Sequence, residues 1–466
     1  MSLQVRPSQA PSLLQRARWA ACACVAFCTV CCGGPVPQKI QLVADSWWKH
    51  PSERRAFENV LQQYNSLHPD AIAVNDASES TADAVRKTLT ARLLAGAGPS
   101  TFQANIGADV LHWTVVDTTD DLIQSSSRLV SLRDFFAKNQ LDQVLPDALY
   151  QALVAGKTRE PYTIPIDIHR LNVVYYSVTG LAEFSARNGG ASFLDPAVLC
   201  PADVATRLDN PGSKLDAKIS VGMKDTFPLT LLAFESLLPA VGGPALYRDI
   251  FHGQASGDWE TQVRGALLCL QYLSRSFVGD QNVDWADALG QVVSGTADFS
   301  VMGDWANGEL KEQLDSGVVK GVPFPTAFPE WQDTFVFTSD TFPLPSGAPY
   351  PVQTEELLET IASREAQFAF SSEKGSIPAR MDVDVTKLGP RAMITKGAFE
   401  ASQHKLLATS GLFPPYFPGD DLSAALSAMT KPTATKDDIE QVLLVLREMQ
   451  PLLLHWQDRI APLPAP

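Results

Sequence analysis

The sequence predicts an α/β protein folded as two lobes around a shared cleft. Three observations lead there. From Ile40 onward, short strand-like runs alternate with amphipathic helical segments, the order of crossover units on a largely parallel sheet. Once a leader is set aside, about 430 residues remain, too many for one ordinary core. Two clusters of aromatic rings and polar groups, Ser46-Trp47-Trp48 and residues 295–305, each directly follow a strand-like run. They lie about 250 residues apart, as expected of a cleft assembled from two halves.

The elements follow in order. Residues 40–44 read as a strand. Ser52 is placed to cap a helix whose apolar positions Ala56, Phe57, Val60, Leu61 and Tyr64 share one face, and His68-Pro69 ends it. Ile72-Ala73-Val74 reads as a second strand. Val85, Leu89 and Leu93 mark a second helix, stopped by Gly96-Ala97-Gly98-Pro99. In such sheets ligands sit beyond the carboxyl ends of the strands. Trp47, Trp48 and Glu53 lie just past the first strand, and Phe102, Gln103 and Asn105 occupy the next such position.

Residues 162–176 form a long β-rich run interrupted by Pro165 and by polar residues, the pattern of a strand that leaves one sheet and enters another. Asp167 to Arg170 is read as the first hinge crossing. The Pro-rich stretch 322–329 is read as the return, ahead of the β-rich run 334–338. These crossings divide the mature chain into a first lobe, 38–167 with 330–372, and a second, 168–329 with 373–466. The C-terminal part is helical, with Ile439, Val442, Leu443, Leu446 and Met449 at helical spacing as far as Pro451.

The first 32 residues read as an export leader. Arg6, Arg16 and Arg18 precede an apolar run from Trp19 to Cys32, which is shorter than the ~20 residues that span a bilayer. Five of the seven cysteines sit here, and the run resembles a bacterial lipoprotein leader with Cys32 as the lipidated residue; ordinary cleavage and release is the alternative. Removing the leader's three basic residues leaves 34 basic against 52 acidic residues, a net charge of −18. That balance argues against nucleic acid and against docking on anionic lipid by charge. Cys200 and Cys269 remain. They either pair, which is worth roughly 4 kcal/mol in the chain-entropy model, or stay as two buried thiols.

Rings beside carboxylates suit a sugar, whose C–H face lies on a ring while its hydroxyls donate to carboxylate oxygens. Asp304 is the foremost candidate: its strand stops at Gly303, and a carboxylate buried there needs a partner, either ligand hydroxyls or a hinge arginine. Trp305 is stack or core. At least one of Trp47 and Trp48 is expected to be a stacking platform, and Glu53 an acceptor or a helix N-terminal charge. Lys374 is a hydroxyl donor or simply solvated. His169 lines the cleft or is a satisfied structural group.

Eight short motifs, in this order, resemble one known family: Ser46-Trp47-Trp48, residues 92–96, Thr101-Phe102-Gln103, residues 164–170, residues 172–175, residues 299–305, residues 339–345 and residues 374–380. The chain is similar to the solute-binding proteins of ATP-binding-cassette sugar importers in the maltose-binding-like group, with most likeness to the glucose- and mannose-type members. The resemblance implies a type II periplasmic-binding-protein fold, each lobe a mainly parallel sheet flanked by helices and joined by hinge strands. It implies capture of a mono- or short oligosaccharide, delivery to the permease subunits, no cofactor, no catalysis, and an exported, lipid-anchored monomer. Gln103 matches the family's Phe-Gln pair as a ligand contact. Asn105 stands where glucose-type members resemble one another in having His. Phe227, Phe234 and Glu235 fall where second-lobe contacts are expected, with Phe in place of Trp.

Two other classes stay open. A secreted glycosidase or lyase needs two carboxyl groups, which Glu53, Glu235 and Asp304 could supply. A drifted lipoprotein would serve as a sensor or scaffold. No nucleophile elbow or zinc-protease helix is present, and the seven histidines lack metal-ligand spacing.

Overall fold

The first strand, Ile40–Asp45, is the middle of a parallel sheet, flanked by Ala71–Asp76 and Thr101–Phe102. The computed structural model describes residues 39–78, 82–111, 113, 128–155, 159–412 and 419–459; the leader and Cys32 lie outside them. The crossover from the first strand to Ala71–Asp76 is the helix Pro51–Leu67, which buries Ala56, Phe57, Val60, Leu61 and Tyr64. Pro51 opens it, where a missing N–H costs nothing. The cap position falls to His50, without a side-chain cap, and Ser52 lies inside the first turn rather than capping it.

Beside this sheet, Asp340–Pro343 runs antiparallel between Ala104–Asn105 and Thr163–Pro165. A separate four-stranded sheet has the order Ile219–Ser220, Phe299–Met302, Val173–Ser177, Val319–Pro323. Its first pair is parallel, while Val173–Ser177 is antiparallel to both neighbours because it enters straight from a crossing segment. That strand, Val-Val-Tyr-Tyr-Ser, is buried along its whole length.

A third sheet joins these two halves. Asp167–Arg170 pairs antiparallel with Ile377–Pro378 and with Phe335–Thr338, and Lys405–Leu407 runs parallel to the latter. Asp167–Arg170 directly continues Thr163–Pro165 of one half and leads into Val173–Ser177 of the other. The return is Phe335–Thr338, leading into Asp340–Pro343. Of the Pro-rich stretch 322–329, Val322 and Pro323 still pair in the second sheet, and the strand paired with Asp167–Arg170 follows that stretch, at Phe335–Thr338.

Cys200 and Cys269 are disulfide-bonded, with Cα atoms 5.1 Å apart, which ties the turn after Pro196–Leu199 to the helix Trp259–Ser274. The last helix, Asp437–Arg459, continues through Pro451 because Leu453 and Trp456 extend its buried stripe. Among the described residues, no helix is long and apolar enough to cross a membrane.

Candidate functional site

The crossing strands meet at His169. All four residues of Asp167–Arg170 are buried, and Asp167 and His169, two apart, share a face. His169 Nδ1 lies 2.6 Å from Asp304 Oδ1; a carboxylate can only accept, so Nδ1 is the donor. His169 Nε2 is 2.7 Å from Asp167 Oδ2 and 3.3 Å from Asp340 Oδ2. Burial disfavours a charged imidazole, but the facing Asp167, Asp304 and Asp340 outweigh it and raise the His169 pKa well above its ordinary value. Burial also raises Asp167, against the pull of His169. Asp340 is held low: burial opposes ionisation, yet His169, Lys374 and Gln103 together overcome it.

Asp304 is positioned by its backbone, whose N–H donates to Arg170 O at 2.8 Å. Its second oxygen, Oδ2, is buried without a hydrogen-bond partner. The sequence offered ligand hydroxyls or a hinge arginine as its partner; the group that takes Oδ1 is a hinge histidine. Gln103 Nε2 donates to Asp340 Oδ1 at 2.7 Å, and Gln103 Oε1 accepts from the Trp47 N–H at 3.1 Å. Asn105 pairs with Asp340 across the strands and donates its backbone N–H to Asp109 Oδ2.

Aromatic rings border this network. Trp305 is half-buried and edge-on to His169, with ring centroids 5.4 Å apart. Phe227, 39% exposed, is 6.2 Å from Trp305, and Trp285 is 6.5 Å from it. His50 meets Trp285 edge-on at 4.6 Å. Trp47 is half-buried beneath the Arg86 guanidinium. Trp285, His50 and Asp340 were missed in the sequence. Asp340 lay inside a recognised motif without a role, and Asp284-Trp285 reads only as a capped helix start.

Five expected contacts are placed otherwise. Trp48 is 0% exposed, walled in by Phe57, Phe342 and Phe370, so it offers no face for stacking. Glu53 is not open to hydroxyls at Oε1, because the Lys374 ammonium sits 2.5 Å away. Lys374 is itself buried; desolvation opposes its charge, but Glu53 and Asp340 win and raise its pKa. Phe234 is core, packed on Phe251. Glu235 lies on a π-helical turn, Leu231–Leu237, and its Oε1 accepts from Thr409 N and Oγ1 at 3.0 and 2.8 Å. Burial pushes its pKa up to about 7.

The two halves also touch beside the network. Asn307 accepts from Tyr175 OH at 2.9 Å and donates to Gly375 O at 3.2 Å. A Cβ on Gly308 would lie 2.4 Å from Glu373 O. The turn after Asp304-Trp305 therefore seats directly on the end of the helix Arg364–Lys374.

Two sheets joined by crossing strands, with a buried polar network and half-exposed rings at the junction, define a binding receptor of the two-lobe, type II class. The chain belongs to the bacterial extracellular solute-binding protein family, whose model matches residues 49–368. It is 26% identical over 385 residues to an ABC transporter extracellular-binding protein of Pyrococcus horikoshii, covering 80% of each chain. It is 26% identical over 347 residues to a probable sugar-binding periplasmic protein of Rhizobium meliloti, covering 73% of this chain and 76% of that one. The fold matches the crystal structure of the bacterial solute receptor AcbH with a TM-score of 0.68 at 14% identity, over 89% of this chain and 99% of that one.

Proposed function

We propose that this protein captures a mono- or short oligosaccharide between its lobes and hands it to the permease of an ABC importer, without transforming it. The observation that carries the reading is Asp304, with a buried, unpartnered carboxylate oxygen beside the half-exposed ring of Trp305 and near Phe227. An orphaned acceptor next to an apolar ring suits a polyhydroxyl ligand, which supplies a donor and a C–H face together. The family supports the receptor role. The Rhizobium meliloti relative is a probable sugar-binding protein and AcbH has an exclusive preference for β-D-galactopyranose, which supports the ligand class.

The lobes are proposed as 38–167 with 330–375 and 168–329 with 376–466, the bound at 372 moved to the end of the helix Arg364–Lys374 because Phe370 packs on Trp48 and Lys374 pairs with Glu53. Trp47, Gln103, Asn105, Lys374 and Glu53 support the site from the first lobe, and Asp304, Trp305 and Phe227 from the second. His169 lies in the hinge between them. The three carboxylates that an enzyme would recruit are each engaged by a fixed donor: Glu53 by Lys374, Glu235 by Thr409 and Asp304 by His169. This supports binding without catalysis. The mature chain is exported, held at the membrane through lipid on Cys32, and works as a monomer.

Calorimetric titration of the mature protein with a panel of mono- and oligosaccharides tests the proposal. The expected result is saturable heat at micromolar affinity, about −8 kcal/mol, with the sugar recovered unchanged. Release of a cleaved product would make the protein an enzyme. Silence across the panel would make it a scaffold.

A further inference from the structure

We propose that Asp167, His169 and Asp340 form a divalent-metal site of the zinc class where the crossing strands meet. The inference goes beyond the sugar-receptor reading and does not rest on it. Three ligand atoms converge, His169 Nε2, Asp167 Oδ2 and Asp340 Oδ2, all within 4.8 Å of one another. Ligands held about 2.1 Å from a tetrahedral ion sit about 3.4 Å apart. The 3.3 Å separation of Nε2 from Asp340 Oδ2 matches that spacing, and the 2.7 Å separation from Asp167 Oδ2 reaches it by a side-chain shift of under 1 Å.

The division between inner and outer atoms is what points to an ion. Every outer atom is satisfied. His169 Nδ1 donates to Asp304 Oδ1, Asp340 Oδ1 accepts from Gln103 Nε2, and Asp167 Oδ1 accepts from the Asp340 N–H at 3.0 Å. Two of the inner atoms, His169 Nε2 and Asp167 Oδ2, lack an aligned hydrogen-bond partner despite their closeness, on residues only 1% and 0% exposed. Metal-ligating histidines donate their other ring N–H to a carboxylate, which fixes the tautomer and turns the lone pair inward. Asp304 stands in that relation to His169.

The charge around the three ligand atoms is compatible with a divalent ion. The buried carboxylates of Asp167, Asp304 and Asp340 all face His169, and the buried cations beside them are Lys374, paired with Glu53, and Arg170, next to Asp304. A divalent ion at Nε2 offsets more of that negative charge than a single proton does. One imidazole nitrogen and two carboxylate oxygens select a zinc-class ion over calcium. Asp167 and His169 belong to one crossing strand and Asp340 begins the strand after the return crossing, so the ion pins the junction itself.

The test is zinc alone. Mature protein purified without chelators should carry near-stoichiometric zinc by elemental mass spectrometry. After dialysis against EDTA it should regain zinc in calorimetry and melt at higher temperature with zinc than with calcium. Asp340→Asn, which keeps the side chain's shape, should lose zinc binding at least tenfold. Where a variant fails to fold, 15N NMR of wild-type histidines decides: zinc should shift His169 Nε2 and leave Nδ1 protonated. No retained zinc with both His169 nitrogens protonated near neutral pH would overturn the site, as would zinc binding unchanged in Asp340→Asn. Sugar titration of the same samples reads the receptor function separately.

Discussion

Ser52 and Glu309 meet across 257 residues of sequence: the Ser52 N–H donates to Glu309 Oε1 at 2.7 Å. Ser52 stands in the first turn of Pro51–Leu67, where backbone N–H groups have no partner within the helix and the helix dipole favours a carboxylate. Glu309 follows Asp304-Trp305 in the other half of the molecule. The bond therefore links the halves at the edge of the candidate site. A hydrogen bond to a charged group contributes about 1.5–3 kcal/mol. Glu309→Gln should weaken ligand binding by about tenfold with little change in melting temperature. Calorimetry reads the affinity, and small-angle scattering should show less contraction on ligand addition.

Asp304→Asn keeps the volume and the contact with His169 but removes the charge. If the orphaned Oδ2 receives a ligand hydroxyl, sugar affinity should fall by roughly a hundredfold, the scale of a lost charge-assisted hydrogen bond. Circular dichroism should report an unchanged fold. Unaltered affinity would remove Asp304 from the site.

Gly375 closes the helix Arg364–Lys374 at φ +87°, and a Cβ there would lie 2.5 Å from Asn307 Cβ and 2.8 Å from Gly308 N. Both the left-handed backbone and the seam against the other half require glycine. Gly375→Ala should destabilise by about 1–3 kcal/mol, seen as a lower melting temperature, and should also weaken ligand binding by forcing the seam apart.

Glu235 gives a pH dependence of stability with a defined sign. Burial raises its folded pKa to about 7 from 4.5. The folded state therefore binds the extra proton between those values, and its stabilisation, complete below about pH 4.5, is lost as pH rises through about 7. The cost at high pH is on the order of 3 kcal/mol. Glu235→Gln cannot ionise, so its melting temperature should exceed that of the wild type by a margin that grows from mildly acidic to mildly alkaline pH. A margin constant with pH would refute this account.

Much of the fold was legible. Strand–helix alternation around Ile40–Asp45 announced the parallel sheet, and the interrupted β-rich run before Tyr176 announced the first crossing. The burial of Asp304 was legible because a buried strand stops at Gly303 just before it. The site's details were less so. Trp47 and Trp48 are adjacent and chemically alike, and only Phe57, Phe342 and Phe370, packed around Trp48, settle which ring is core. The prolines from 323 onward mark where the second sheet ends, but they do not show that the strand paired with the first crossing comes later, at Phe335–Thr338. Of the groups around His169, only Asp167 is near it in sequence; Asp304 and Asp340 lie far along the chain, so the network left no recognisable spacing.

What the sequence determined by itself was the supply: alternating elements for two halves, rings and carboxylates after strand ends, and one run able to cross between sheets. These depend on periodicity and on neighbours a few residues away, where backbone geometry acts directly. What the tertiary structure alone decided was the pairing. Lys374 takes Glu53 across 321 residues and His169 takes Asp304 across 135, and those pairings leave a single oxygen of Asp304 unclaimed. Charges and hydrogen bonds act over a few ångströms of space, so which groups are spent and which stay open is set only once the chain has brought them together.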